Sequence, residues 1–344
     1  MLALPTLVSI IVPAFNAASQ MRRCVESILR QTHREIEVIV VNDCSADDTL
    51  AILDDLAVSD PRIKVIRLFE NVGVHAARAR GVRESGGEYL AFVDADDWID
   101  PKMIAALLNE AMTFPGADIV VCGAVLANGI GQCGRHKVRF RRRKAIDYRL
   151  LERFCQLEFG SGVLWNKLYR ADLIRPFALK RLERRVDASE DYIVNIGCFA
   201  NAHRVITLPE TYYYYYENPE SASRAAPTAM GFSRTLRAYV ACLETYADSL
   251  RGEFSLISSL YARQLNHACY RVGSLMDFKL MSGELQETLE RLARIYPEGA
   301  YALVHSFDVE QHNKLKSSIH DFRQVRQTIL SLRACDTADE ISSI

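Results

Sequence analysis

Apolar and polar positions along the first hundred residues alternate between two periods, one suited to strands and one to helices. Leu7 to Val12 is a short apolar run broken by Pro13-Ala14-Phe15-Asn16, after which Met21, Cys24, Val25, Ile28 and Leu29 recur at the spacing of a one-faced helix. Ile36 to Val41 repeats the strand pattern and ends in Asn42-Asp43-Cys44-Ser45. Ser45 stands ahead of Asp48 at capping-box spacing, and Leu50, Ile52, Leu53 and Leu56 continue as a helix. Ile63 to Leu68 is a third strand, Glu70-Asn71-Val72-Gly73 turns into a helix through Arg83, and Tyr89 to Val93, behind Gly86-Gly87, is a fourth. Repeated strand-helix alternation predicts an α/β fold with a Rossmann-like, mostly parallel sheet, doubly wound and flanked by helices. Ligands of such sheets bind outside the carboxyl ends of the strands. Asn16, Asp43, Asn71, Asp94 and Asp96 all fall there.

The fourth strand ends in acid. Asp94, Asp96 and Asp97 crowd where the apolar run stops, and Asp100-Pro101 then opens a helix as N-cap and first-turn proline. Carboxylates on one turn repel, so a positive partner is expected. Mg²⁺ or Mn²⁺ meets that need, because such an ion takes only one or two protein carboxylates and fills its shell with water and substrate phosphate. A solvated acidic turn that caps the next helix is the plainer reading of the same residues. No Gly-x-Gly-x-x-Gly and no Walker lysine loop follows the first strand, so phosphate charge has to be met by an aspartate-bound cation.

Beyond residue 100, Ala105 to Met112 reads as a helix and Ile119 to Ala124 as a fifth strand. Glycines then cluster, and residues 135–144 carry Arg135, Lys137, Arg139, Arg141, Arg142, Arg143 and Lys144 with no acid among them. This run suits either a solvated hairpin or peripheral attraction to a membrane's anionic headgroups or a pyrophosphate-linked acceptor. Nucleic acid has no motif to support it. Tyr212 to Tyr216 would alternate between two faces of a strand. From Gly231 the spacing is helical, with faces at Leu236, Tyr239, Val240, Leu243 and Tyr246; at Leu256, Leu260, Tyr261, Leu265, Ala268, Val272 and Leu275; and at Leu285, Leu289, Leu292 and Ile295. With 344 residues, 49% of them hydrophobic and 25% charged, and a formal net charge of -1, the composition is that of a globular protein. The nine cysteines lack any Cys-x-x-Cys pair, and neither a signal peptide nor a membrane-length apolar run is evident, so a cytoplasmic protein with reduced thiols is expected. The eight histidines show no metal-ligand spacing, which leaves carboxylates as the metal site.

Five motifs taken in order, Val12 to Asn16, Val41 to Thr49 (Val-Asn-Asp-Cys-Ser-Ala-Asp-Asp-Thr), Glu70 to Gly73, Ala77-Arg78 with Gly81, and Asp94 to Trp98, resemble those of family 2 glycosyltransferases of the GT-A fold. The resemblance implies a nucleotide-sugar site, UDP-sugar first, made from Pro13, Phe15, Asn16, Asp43, Asn71, Gly73, Arg78, Asp94, Ala95 and Asp96. Within it Asp43 would accept from uracil, the Pro13 to Asn16 turn would wall the base, Asp94 would hold the ribose, and Asp96 would bind Mn²⁺ or Mg²⁺. Arg78 would assist the base or the phosphates. Cys44 stands where a glycine is usual and Ala79 where an asparagine is frequent. Because a Cβ resists positive φ, the Cys44 turn is expected to adjust.

Inverting sugar transfer needs a carboxylate to take the proton of the attacking hydroxyl. Asp191 is the candidate base: Ser189 can cap a helix from Glu190, and the positive helix end favours the ionised form, while Glu190 opposes it by repulsion. The same residues also suit an ordinary helix cap. Trp165, Lys167 and Glu190 are the expected acceptor contacts, although Trp165 could equally fill core. An arginine that often follows such a tyrosine cluster in the family is replaced by Glu217-Asn218, with Arg224 able to substitute. The expected organisation is a glycosyltransferase domain over 1–225, with a nucleotide-sugar half (1–125) and an acceptor half (126–225), then helices over 226–334 and a tail over 335–344. The expected function is metal-dependent hexosyl or N-acetylhexosaminyl transfer to a glycan or lipid-linked acceptor in surface polysaccharide synthesis. A sugar nucleotidyltransferase and a non-catalytic sugar- or nucleotide-binding relative are the competing readings.

Overall fold

The computed structural model describes residues 6–128, 133–217, 229–270 and 282–306. The chain divides into two compact units, residues 1–181 with 190–219, and residues 182–189 with 220–344.

In the first unit, β1 (Val8–Ala14), α1 (Ala18–Leu29), β2 (Ile36–Asn42), α2 (Thr49–Ser59), β3 (Ile63–Arg67), α3 (Val74–Arg83) and β4 (Tyr89–Phe92) alternate as the apolar periods predict. There follow β5 (Trp98–Ile99), α4 (Met103–Thr113), β6 (Ala117–Ala127), β7 (Cys133–Val138), β8 (Lys144–Ile146), α5 (Leu150–Cys155), β9 (Lys167–Arg170), α6 (Ala171–Ala178), α7 (Glu190–Asn201) and β10 (Arg204–Tyr216). The sheet runs β3-β2-β1-β4-β9-β6-β10-β5, with β7 paired to β6 and β8 to β10. The first four strands are parallel, and β9 enters antiparallel between β4 and β6. One apolar core runs along β1, β2, α1 and α4 and on to Trp165 and Tyr213.

Two local expectations change. Pro13 does not break the first strand; it pairs in register with Val41. Ile11 accepts from Val93 N, residues two apart in a strand point the same way, and the β4 ladder ends at Ile11 and Phe92, so Pro13 turns its missing N–H to a side with no further partner. The helix after the fourth strand starts at Met103 rather than on an Asp100 cap: Asp100 Oδ1 accepts from Lys102 N at 2.8 Å in a turn ahead of it.

In the second unit, α8 (Ala229–Thr245), α9 (Phe254–Tyr270), α10 (Ser282–Ile295) and α11 (Pro297–Ser306) carry the three helical faces read from the sequence. Leu236, Tyr239, Val240, Leu243, Tyr246, Leu260, Tyr261, Leu265, Leu285, Leu289 and Leu292 are buried. Val272 and Leu275 of the second face lie outside the described residues. Among the described residues no helix is long and apolar enough to cross a membrane.

Candidate active site

The site is built at the carboxyl ends of β1, β2 and β4 and at the start of α7. Asp43, just past β2, is buried, and its two carboxylate oxygens accept from Val72 N at 2.8 Å and Gly73 N at 2.9 Å. Asn71 Nδ2 donates to the Asp43 carbonyl at 3.1 Å. Gly73, at φ 87°, can supply that N–H because it lacks a Cβ. Asp43 therefore organises the Glu70–Gly73 turn, and a uracil contact would use lone pairs left over from this work. Pro13 is buried, whereas Phe15 is 52% exposed. Asn16 sits at φ 49° with its Oδ1 accepting from Ala46 N at 2.9 Å.

The turn after β2 is closed differently from the capping box expected of Ser45 and Asp48. Asp47 accepts from Thr49 N at 3.1 Å and from Ala18 N at 3.0 Å, and Ser45 Oγ accepts from Asn16 N at 3.0 Å. Cys44 does not relax as expected either: it adopts φ 59°, the glycine-like conformation. A left-handed L-residue costs about 1 to 2 kcal/mol. Cys44→Gly is expected to raise stability by about 1 kcal/mol, read as an increase in urea midpoint at unchanged slope.

Arg78 is the hub of the site. Gly81 lets α3 approach β1 closely, since a Cβ there would lie 2.6 Å from Ile11 Cγ2. From that helix the buried Arg78 guanidinium donates to Asp94 Oδ1 at 2.8 Å, Glu190 Oε1 at 2.8 Å and Asp191 Oδ1 at 2.5 Å. One cation thus joins the tip of β4 to the start of α7. Its pKa is raised further by these carboxylates, against the cost of burial. Asp191 also accepts from Leu164 N at 3.3 Å. Burial lifts its carboxyl to about 7; Arg78 opposes that shift, and Glu190 and Asp94 reinforce it. Ser189, expected as a helix cap, stands at φ 58° rather than in the extended conformation of a side-chain cap.

Asp94, expected at the ribose, pairs with Arg78 through Oδ1. Asp96 is half-buried, its carboxyl pushed up to about 6 by burial and by Asp94. Among the described residues it has no ion-pair partner. Asp97 is fully buried and structural: Oδ2 accepts from Tyr213 Oη at 2.7 Å and Oδ1 from Tyr216 N at 2.7 Å. Tyr213 Oη also lies 3.1 Å from Asp94 N. Ala95 is buried between the two acids. Among the described residues no cluster of three or more His, Cys, Asp or Glu could hold a metal unaided. A half-buried carboxylate with no ion pair among the described residues still fits an ion that completes its shell from phosphate and water.

Two residues expected at the acceptor are interior. Trp165 is 2% exposed and stacks on Tyr213 with centroids 4.2 Å apart. Lys167 is fully buried and donates to Val163 O at 2.5 Å, Asn166 Oδ1 at 2.9 Å and Ser161 O at 3.4 Å. Burial lowers its pKa to about 7. Lys167 thereby braces the 161–164 segment that carries the Leu164 N–H toward Asp191. Glu190 is likewise engaged inward by Arg78. Tyrosine alternation is observed, but both faces are covered: Tyr213 and Tyr215 face Trp165, and Tyr214 and Tyr216 face Trp98. Arg224 lies outside the described residues.

This sheet order, with acidic residues at the tip of the fourth strand, is that of the GT-A glycosyltransferase fold. S. aureus TarS 1–349 in complex with UDP-GlcNAc superposes with a TM-score of 0.64 over 92% of this chain and 92% of that one, at 21% identity. Residues 9–176 match the family described as glycosyl transferase family 2. The Bacillus subtilis protein described as uncharacterized glycosyltransferase EpsJ is 34% identical over 217 residues, 62% of each chain. The succinoglycan biosynthesis protein ExoO of Rhizobium meliloti is 30% identical over 229 residues, 63% of this chain and 62% of that one. The matches thus span less than two thirds of these relatives' length.

Proposed function

We propose that the protein is an inverting glycosyltransferase that moves a hexosyl or N-acetylhexosaminyl group from a nucleotide sugar, UDP-sugar first, to a glycan or lipid-linked acceptor in surface polysaccharide synthesis. The observation that carries this reading is the single guanidinium of Arg78 bridging Asp94 and Asp191. A candidate base and the acidic strand tip occupy one site. Asp191, ionised, takes the proton of the acceptor hydroxyl as its oxygen attacks the anomeric carbon, and the bond to the nucleotide breaks with its electron pair leaving on the diphosphate. Arg78 orients the base through its short contact, and the Leu164 N–H holds the other oxygen. Asp96 would hold Mn²⁺ or Mg²⁺, which when bound neutralises diphosphate charge. Phe15, Asn16, Asp43 and the Asn71–Gly73 turn frame the nucleotide end. The match to the family and the UDP-GlcNAc complex of TarS support the donor class, and the relative named for succinoglycan biosynthesis supports the pathway class.

Nucleotide release with Mn²⁺ and a panel of nucleotide sugars and acceptors tests the reading. Wild type is expected to release UDP, with Asp96→Ala and Asp191→Ala strongly reduced. Pyrophosphate in place of UDP would establish a nucleotidyltransferase, and ligand binding without release a non-catalytic relative.

A cytoplasmic protein held at the membrane face is part of the same proposal. Residues 135–144 carry seven positive charges in a chain of net charge -1, so the remainder carries -8 (that is, -1 - 7). Arg143 pairs with Glu110 at 2.5 Å, and Lys137 lies over the Tyr215 ring. Arg135, Arg139, Arg141, Arg142 and Lys144 are exposed. At about 1 kcal/mol per basic residue near an anionic bilayer, these five suffice for reversible docking. The protein should co-sediment with vesicles containing anionic lipid at low salt and not with neutral vesicles. Replacing the five by glutamine should abolish co-sedimentation. Equal binding to neutral vesicles would refute the electrostatic docking.

A further inference from the structure

Arg23 belongs to none of the motifs that define the nucleotide-sugar site, yet its guanidinium lies directly behind Asp96. We propose that Arg23 is a positioning residue for Asp96, clamping the main chain so that the carboxylate is held where a divalent cation and a diphosphate meet. This rests on the assignment of Asp96 to the cation made above.

The side chain leaves α1 beside the buried Cys24 and is itself half-buried. Its Nη2 donates to the Asp96 carbonyl at 2.8 Å. The guanidinium carbon lies 4.1 Å from the Trp98 ring and 4.6 Å from the Tyr216 ring, so two aromatic faces supply what a carboxylate would otherwise supply to a desolvated cation. Among the described residues Arg23 makes no ion pair with a carboxylate, and its Nε is buried without a hydrogen-bond partner. A desolvated guanidinium left partly unsatisfied is costly, and an apolar side chain packed against Trp98 would avoid that cost. Its placement is understandable if the bond to Asp96 is needed.

The clamp acts on a loop already held at other points. Cys24 Sγ lies 3.5 Å from the Asp94 carbonyl, and Asp97 is held by Tyr213 Oη and Tyr216 N. Tyr216 belongs to both devices: its backbone N–H fixes Asp97, and its ring forms one wall of the Arg23 cage. The Asp96 peptide is therefore fixed from α1 on one side and from β10 on the other. Lysine in place of Arg23 keeps the charge but lacks the planar fork that donates and stacks at once.

The test is binding of Mn²⁺ and UDP by calorimetry, with Mn²⁺ also followed by water-proton relaxation, in wild type, Arg23→Met, Arg23→Lys, Tyr216→Leu and Asp96→Asn. Wild type should bind UDP more tightly with Mn²⁺ than without. Arg23→Met should weaken Mn²⁺-dependent UDP binding at least tenfold while leaving metal-free UDP binding within twofold. Arg23→Lys should not restore it. Tyr216→Leu, which opens one wall and keeps the backbone bond, should weaken it in the same direction, and it decides the matter if Arg23→Met does not fold. Loss of the Mn²⁺ effect in Asp96→Asn with wild-type behaviour in a folded Arg23→Met, or in Tyr216→Leu, overturns the role of Arg23 alone. Absence of any Mn²⁺ effect in wild type, or its survival in Asp96→Asn, overturns the cation assignment and the role of Arg23 with it.

Discussion

Arg78→Met is expected to cost about 3 to 5 kcal/mol of stability at pH 7.5, the usual consequence of removing one partner from a buried charge cluster. The magnitude follows from what remains. Asp94, Glu190 and Asp191 converge on this guanidinium at 2.8, 2.8 and 2.5 Å, and methionine fills the stem's volume without a countercharge. The deficit has a sign with pH. Carboxylates stripped of their cation hold protons more tightly, so lowering the pH neutralises them before the fold is lost. Urea unfolding should therefore show a larger difference from wild type at pH 7.5 than at pH 5.5. A difference below 1 kcal/mol at pH 7.5, or one that grows toward acid, would show that Arg78 is not the counterion of this cluster. Arg78→Lys should recover part of the stability, since one ammonium cannot donate in the fork geometry that reaches all three acids.

Asp191→Asn is expected to lower turnover by a factor of about 10² to 10⁴, the usual contribution of a positioned general base, while UDP binding stays within about twofold of wild type. Asparagine keeps the shape and can still meet Arg78 through its carbonyl oxygen, but it cannot take a proton. In the wild type, the base must be ionised to act, and burial raises its pKa to about 7 against the pull of Arg78 and with the push of Glu190 and Asp94. His75, its own pKa lowered by burial, lies in the same pocket. The rate at low substrate should accordingly rise with pH and reach half its plateau near 7. A raised carboxyl also carries a stability cost: the native state binds the extra proton between about 4 and 7. Stability should fall as pH rises through that window in wild type and fall less in Asp191→Asn. A flat pH-rate profile between 5.5 and 8 would remove Asp191 from the chemistry.

Much of this arrangement is legible from residue order, and the parts that are not share a physical reason. The first four strands and three helices emerge because each is decided by its own apolar period, with Val8 to Val12 and Val38 to Val41 buried in the sheet and Met21, Cys24, Val25 and Ile28 on one helix face. The acidic tip at Asp94 to Asp97 is equally visible, but its division of labour is not. Which of the acids pairs with Arg78, which anchors Tyr213 and which is left without an ion pair depends on residues 16 to 119 positions away in the chain. Trp165 and Lys167 are expected at the acceptor from the sequence, where Trp165 equally suits the core. The antiparallel entry of β9 turns both inward, and no local pattern announces that pairing. Arg23 escaped for a related reason: a charged residue on an amphipathic helix reads as solvent-facing until Trp98 and Tyr216 are brought over it. Cys44 marks the opposite case. It stands where a glycine is usual in the family it resembles, and the fold accepts the backbone cost instead of rearranging the turn.

The insertion of β9 between β4 and β6 also governs the order in which the molecule can be made. Until Lys167–Arg170 has left the ribosome, β4 keeps an open edge after its pairing with β1, and two strands that will be near neighbours wait with unpaired backbone groups. Such edges invite pairing with other chains. Synthesis arrested near residue 125 would hold all five motifs and still leave a sticky fragment, so the first 125 residues are not a separable module but part of a sheet awaiting its middle.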